Sequence, residues 1–75
     1  MSWNYRIVVR EEGQFLHYGI YEVYYEEDGE TIRFVSAEPV DPWGDTFEEL
    51  KDNMHQMAEA FHRPTVDWDH AWDES

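Results

Sequence analysis

The sequence predicts an α+β fold: a three-stranded antiparallel β-meander, one C-terminal α-helix packed on one face of it, and an acidic aromatic tail. Three observations predict it. The N-terminal half carries apolar runs of period two, Gly-containing turn signals separate those runs, and a capping pattern after Pro42 opens a stretch with helical apolar spacing. At 75 residues the chain has room for a single core. We read residues 1–64 as one domain and 65–75 as the tail, docked or disordered.

The first strand comes from Trp3 to Arg10, where Trp3, Tyr5, Ile7 and Val9 share one face. Glu12-Gly13 supplies a turn, and Phe15 to Tyr25 forms a longer aromatic and β-branched strand. Asp28-Gly29 suits a two-residue type I′ loop, which would set Tyr25 opposite Ile32, Val23 opposite Phe34 and Tyr21 opposite Ser36. The third strand then runs from Thr31 to about Ala37. Tight turns at both hairpins would put Trp3, Tyr5, Ile7 and Val9 on the face opposite Val23, Ile32 and Phe34. Either both faces are covered, or a bulge at Gly19 switches the facing.

Pro39 and Pro42 end the sheet, since each removes a ladder donor and disfavours helix in the residue before it. Thr46-Phe47-Glu48-Glu49 reads as a capping box. Phe47, Leu50, Met54, Met57, Ala58 and Phe61 then recur at helical spacing, so the helix from Thr46 to about His62 is expected to lay that stripe on the sheet. Arg63-Pro64 ends it.

Eighteen Asp and Glu against five Lys and Arg give a formal charge of -13. Such a surface repels phosphate backbones and anionic lipid, so direct nucleic-acid or membrane binding is disfavoured. The charge either serves solubility alone or steers a basic protein partner. The chain contains no Cys, which rules out disulfides and fits a reducing compartment. Its first residues lack a basic segment followed by an apolar one, and no apolar run approaches the roughly 18 residues of a membrane span. The expectation is a soluble cytoplasmic protein.

Catalytic chemistry finds little support. Ser occurs only at Ser2, Ser36 and Ser75, and Gly13, Gly19, Gly29 and Gly44 stand singly instead of clustering to cradle a phosphate. No cofactor is implied. His55, Glu59 and His62 lie at i, i+4 and i+7 and could share a divalent metal, or could be three solvated side chains. Glu22 interrupts an aromatic strand, where a charge is costly unless paired, so a polar cluster with Arg33 or Arg6 is expected. An acid–base grouping of Glu22, His17 and Tyr21 is opposed by strand parity. Trp43, Trp68 and Trp72 exceed what so small a core readily encloses. Some would form an exposed interaction patch, or else the tail folds back over the sheet.

Two hairpin-linked strands, a third strand, and Gly44-Asp45-Thr46-Phe47-Glu48-Glu49-Leu50-Lys51-Asp52-Asn53 opening a helix resemble the N-terminal domain of HicB-type antitoxins. Trp3-Asn4-Tyr5-Arg6, Tyr18-Gly19-Ile20-Tyr21-Glu22-Val23-Tyr24-Tyr25, Pro39-Val40 and Glu59-Ala60-Phe61 are similar to a family of short uncharacterised bacterial α+β proteins. The antitoxin resemblance implies a protein partner, and the second implies no activity. The expected function is therefore a non-enzymatic interaction module, binding a basic protein or itself. The alternative is a small ligand- or metal-binding enzyme accessory protein.

Overall fold

The computed structural model describes residues 2–71. The chain forms β1 (Ser2–Glu12), β2 (Phe15–Tyr25), β3 (Ile32–Val35), helix α1 (Phe47–Ala58) running into a 3-10 turn (Glu59–His62), β4 (Val66–Asp67) and a short helix α2 (Trp68–Ala71). The fold is α+β. Its sheet has four strands in the order β3-β2-β1-β4, and β4 lies parallel to β1. The expected antiparallel meander is thus correct for three strands, and the fourth makes the sheet mixed. Two residues are too short a run to show any periodicity, so β4 is invisible in the sequence pattern.

The first hairpin closes through Gly13-Gln14, with Glu12 paired to Phe15. Gly13 holds a φ of 63°, and a glycine at the first central position is what a type II′ turn needs. Pairing then runs unbroken from Ser2–Tyr25 to Glu12–Phe15, Val8 with Gly19 included, so Gly19 is no bulge. The facing conflict is resolved by covering both faces. Gly19 serves close approach instead: a Cβ there would lie 3.2 Å from the Pro39 Cβ, and the next amide, Val40 N, donates to Ile20 O at 2.8 Å.

The second hairpin is wider than a two-residue loop. Gly29 N donates to Glu26 O at 2.9 Å and Glu26 N to Thr31 O at 2.8 Å, so the closing pair is Glu26 with Thr31. Type I′ geometry requires positive φ at both central residues, and here Gly29 alone has it, at 74°. The Asp28 carboxylate takes over the organising role, accepting from Glu30 N (2.8 Å), Thr31 N (2.8 Å) and the Thr31 hydroxyl (2.6 Å). Tyr25 still pairs with Ile32, but a bulge shifts the rest, so Val23 meets Val35 and Tyr24 meets Phe34.

Strand parity creates two small cores. Val8, Tyr21, Val23, Tyr25, Val35 and Val66 cluster on one face, with Ile32 and Trp68 against them. On the other, Tyr5, Met57 and Ala60 cluster with Ile7, Ile20 and Val40. The helix therefore crosses one face, as expected, but with a different side inward. Phe47, Leu50, Met54 and Phe61 remain 77%, 37%, 49% and 70% exposed. The inward positions are Asn53, Met57 and Ala60. Asn53 is drawn in by hydrogen bonding: its Nδ2 donates to the Tyr5 hydroxyl at 3.2 Å and its Oδ1 accepts from Trp43 N at 3.0 Å. The Thr46 cap forms, with Glu49 N donating to its hydroxyl at 3.1 Å, while the Glu49 carboxylate accepts from Asp45 N at 3.0 Å.

Candidate interaction surface

The flank of α1 beside the Pro39–Pro42 loop is apolar, and the loop is too, whereas the side turned away from the sheet carries Glu48, Lys51, Asp52 and His55. Met54, Met57, Ala58 and Phe61 form one wall of an open cleft of about 340 Å³, with Pro39 and Pro42 opposite. A second cleft, about 370 Å³, continues along the helix past Met54 to Leu50 and Phe47. A third, about 430 Å³, shares Gly19, Ile20 and Phe61 with the first and extends to Tyr18. The first cleft shares Met54 with the second, so the three adjoin as a broken trough along this flank. The prolines set its loop side because their fixed φ holds the chain extended without asking for a hydrogen-bond partner.

From residue 38 to residue 52 the sequence carries Glu38, Asp41, Asp45, Glu48, Glu49 and Asp52 against Lys51. The Asp, Glu, Lys, Arg or His residues that line the three clefts themselves are Lys51, His55 and Arg63. Among the described residues no group of three or more His, Cys, Asp or Glu is placed to hold a metal ion. His55 lies in α1 while Glu59 and His62 lie in the 3-10 turn, and all three are exposed. The tighter turn advances about 120° per residue where an α-helix advances about 100°, so the even flank that the sequence spacing implies does not form.

A different arrangement covers the opposite face. Trp68 is half-buried against the Val8–Val23 core, 5.7 Å from the Tyr21 ring, and the Arg10 guanidinium sits 4.0 Å from its ring centroid. Arg6 works on this face as well, donating to Pro64 O at 3.1 Å and 2.6 Å and to the Tyr25 hydroxyl at 2.8 Å. The Tyr25 hydroxyl in turn donates to Asn4 Oδ1 at 2.7 Å. Glu22 pairs in register with Tyr5 while Arg6 pairs with Tyr21, so Glu22 and Arg6 occupy opposite faces. The Glu22 carboxylate accepts from the Tyr24 hydroxyl at 2.7 Å. That bond, aided by burial and the negative charge of Glu22, raises the Tyr24 pKa. Arg33 is an exposed residue of β3. Tyr24 also stacks on Phe34 at 4.4 Å and lies 6.0 Å from Trp3, a cross-strand aromatic row.

Of the tryptophans singled out from sequence, Trp43 is 68% exposed beside the start of α1. Trp68 belongs to the fold, and Trp72 lies outside the described residues. The exposure of Phe47, Leu50, Met54 and Phe61 was the feature hidden from sequence reading. One signal was available: the stripe Asn53–Met57–Ala60 has the same spacing as the larger one and ends in a small residue, which allows close approach to the sheet. Among the described residues, no helix is long and apolar enough to cross a membrane. Comparison with known proteins returned no match among protein-family models, curated proteins or solved structures.

Proposed function

We propose that this chain is a non-enzymatic protein-interaction module whose binding face is the apolar flank of α1 and the adjoining Pro39–Pro42 loop. The observation that carries this reading is the contiguous exposure of Phe47, Leu50, Met54 and Phe61. Single exposed apolar residues are ordinary, but a connected apolar patch rimmed by polar residues marks a contact surface. The size of the domain supports it. Among the described residues the largest completely buried side chains are Val8 and Val23, and a domain so thinly cored gains from burying further area against a partner.

The formal charge of -13 favours a basic partner, steered by long-range attraction and held by short-range apolar contact. A protein-binding, antitoxin-like role agrees with the resemblance of the 44–53 segment to HicB-type proteins, and a cysteine-free chain suits a cytoplasmic setting. The test is a photo-reactive residue placed at position 54 or, as a control, at position 30, followed by cross-linking in the native host. A discrete adduct from position 54 and none from position 30 is expected. Equal labelling from both positions, or none from either, would remove this face from consideration.

A further inference from the structure

We infer that the free edge of β2 pairs with the same edge of a second copy of this chain, joining two sheets across a two-fold axis at His17. This contact stands apart from the α1 flank. Neighbouring residues of a strand direct their backbone N–H and C=O groups to opposite edges. Ile20 O accepts from Val40 N at 2.8 Å and Glu22 O from Ser36 N at 2.9 Å, so the even-numbered residues of β2 face away from β1. β3 covers that edge at residues 23–25, and residues 36–40 cover it as far as Ile20. There the cover ends: among the described residues, no backbone partner meets Leu16 or Tyr18 on that side. What such an edge accepts is another strand, whose donors and acceptors alternate in the same way.

Sequence and symmetry select a second copy. Edges are ordinarily guarded by Lys, Pro, a bulge or an outward charge. Residues 13–21 contain no Pro and form the longest run in the chain without Asp, Glu, Lys or Arg, and β2 pairs with β1 without a bulge. A basic strand would find no counter-charge in that run. Reversed upon itself about His17, the edge matches throughout: Leu16 and the partner's Tyr18 exchange both backbone bonds, and Tyr18 does the same with the partner's Leu16. These two side chains, 57% and 66% exposed, meet on one face, while Phe15, 73% exposed, lies on the other face opposite the partner's Gly19. At the axis the two His17 side chains meet, each with Glu12 at 3.5 Å. Pairing stops where Val40 closes the edge, so residues 15–19 of each copy take part. That contact falls well short of the roughly 1,600 Å² of a standard interface, so the dimer forms at high concentration and dissociates on dilution.

The experiment is sedimentation equilibrium of the full chain from about 10 μM to about 1 mM, with amide hydrogen exchange at both ends of that range. The weight-average mass should rise towards that of two chains. The Leu16 and Tyr18 amides should exchange more slowly at the high concentration, while the His17 amide, already bonded across to Arg10, changes less. Leu16→Pro removes an amide that β1 does not use and should weaken association at least about tenfold. Leu16→Lys keeps the amide but guards the edge with a charge, and should do the same if the proline disturbs the hairpin. Circular dichroism checks that each variant is folded. Because two copies repel through their formal charge of -13, added salt should tighten the dimer. Phe61→Asp, on the α1 flank, should leave it unchanged, so failure of this contact and failure of the α1 surface are told apart. A chain that stays monomeric at the highest concentration overturns the inference. So does a dimer indifferent to both substitutions at Leu16, or one that salt dissociates.

Discussion

The two faces of the sheet solve the same burial problem differently. One is closed by the chain itself: Val66 joins the edge, Trp68 folds over Tyr21, and Arg10 lies on the indole. The other is crossed by a helix that touches the sheet through Met57 and Ala60, and leaves Leu50 and Met54 partly in water and Phe47 and Phe61 largely so. The difference shows that a helix over a sheet face does not by itself complete a core. What completes it is which side of the helix turns inward, and here a polar residue, Asn53, holds that choice through Tyr5 and Trp43. The closed face supplies stability, and the open one supplies surface.

That division fails most visibly if the closed face proves dispensable. Tyr25→Ala removes a buried ring and also the shared partner of Arg6 and Asn4. A loss of about 3–5 kcal/mol is expected. A domain of this length has only about 4–11 kcal/mol in total, so the substitution should remove from about a quarter of that stability to all of it. A urea midpoint close to that of the wild type would mean that the Val8–Val23 cluster is not the main core.

The next effect sharpens the comparison within α1. Met57→Ala should cost about 2–5 kcal/mol, whereas Met54→Ala, three residues earlier, should cost under about 1 kcal/mol because its side chain is half in water. Denaturation midpoints of the two variants decide it. The reverse order would restore the stripe that the sequence suggested, with Leu50 and Met54 inward.

How much was legible follows from which signals are local. Period two in Trp3–Val9 and the Gly13 turn determine the first hairpin, and Thr46 with Glu49 marks the helix start, because each depends on neighbours in the chain. The rotation of α1 does not. It depends on a hydrogen bond between Asn53 and Tyr5, forty-eight positions apart, and the apolar spacing alone admits two adjacent stripes. For the same reason the exposure of Phe47, Leu50, Met54 and Phe61 was hidden, since their helical spacing is that of a core stripe. The β4 pairing, two residues long, had no pattern to read.

Trp68 tests the boundary between fold and surface. Trp68→Ala should lower stability by about 1–3 kcal/mol, less than Tyr25→Ala because the indole is half-buried. Trp43→Ala should leave stability within about 0.5 kcal/mol. Trp43 lines a separate cleft with Asn53 and Gln56, so cross-linking from position 54 should survive Trp43→Ala as well as Trp68→Ala in folded protein. Loss of the adduct confined to folded Trp68→Ala would move the interaction surface to the closed face.

The smallest effect concerns the loop that sets the register of the closed face. The Asp28 carboxylate accepts from the Thr31 hydroxyl and from the amides of Glu30 and Thr31, which holds its pKa below the ordinary aspartate value. A depressed value means that the folded state favours the ionised form, so the stabilisation is fully present above the unfolded pKa of about 3.9 and is lost as pH falls through the folded one. The stability gap between the wild type and Asp28→Ala should accordingly stay constant from neutrality to about pH 5 and narrow below about pH 4. Acidification also relieves the repulsion of a chain with charge -13, but it does so for both proteins, and the difference cancels it. A gap that is flat into strong acid would show that the carboxylate's charge does not organise the turn, and a gap that widens would reverse the sign. The same variant probes register. Without the carboxylate the amides of Glu30 and Thr31 lose that acceptor and the wide loop keeps its Glu26 backbone bonds alone, so cross-strand contacts measured by NMR should weaken between Val23 and Val35, the pairing that the bulge at Tyr24–Tyr25 creates.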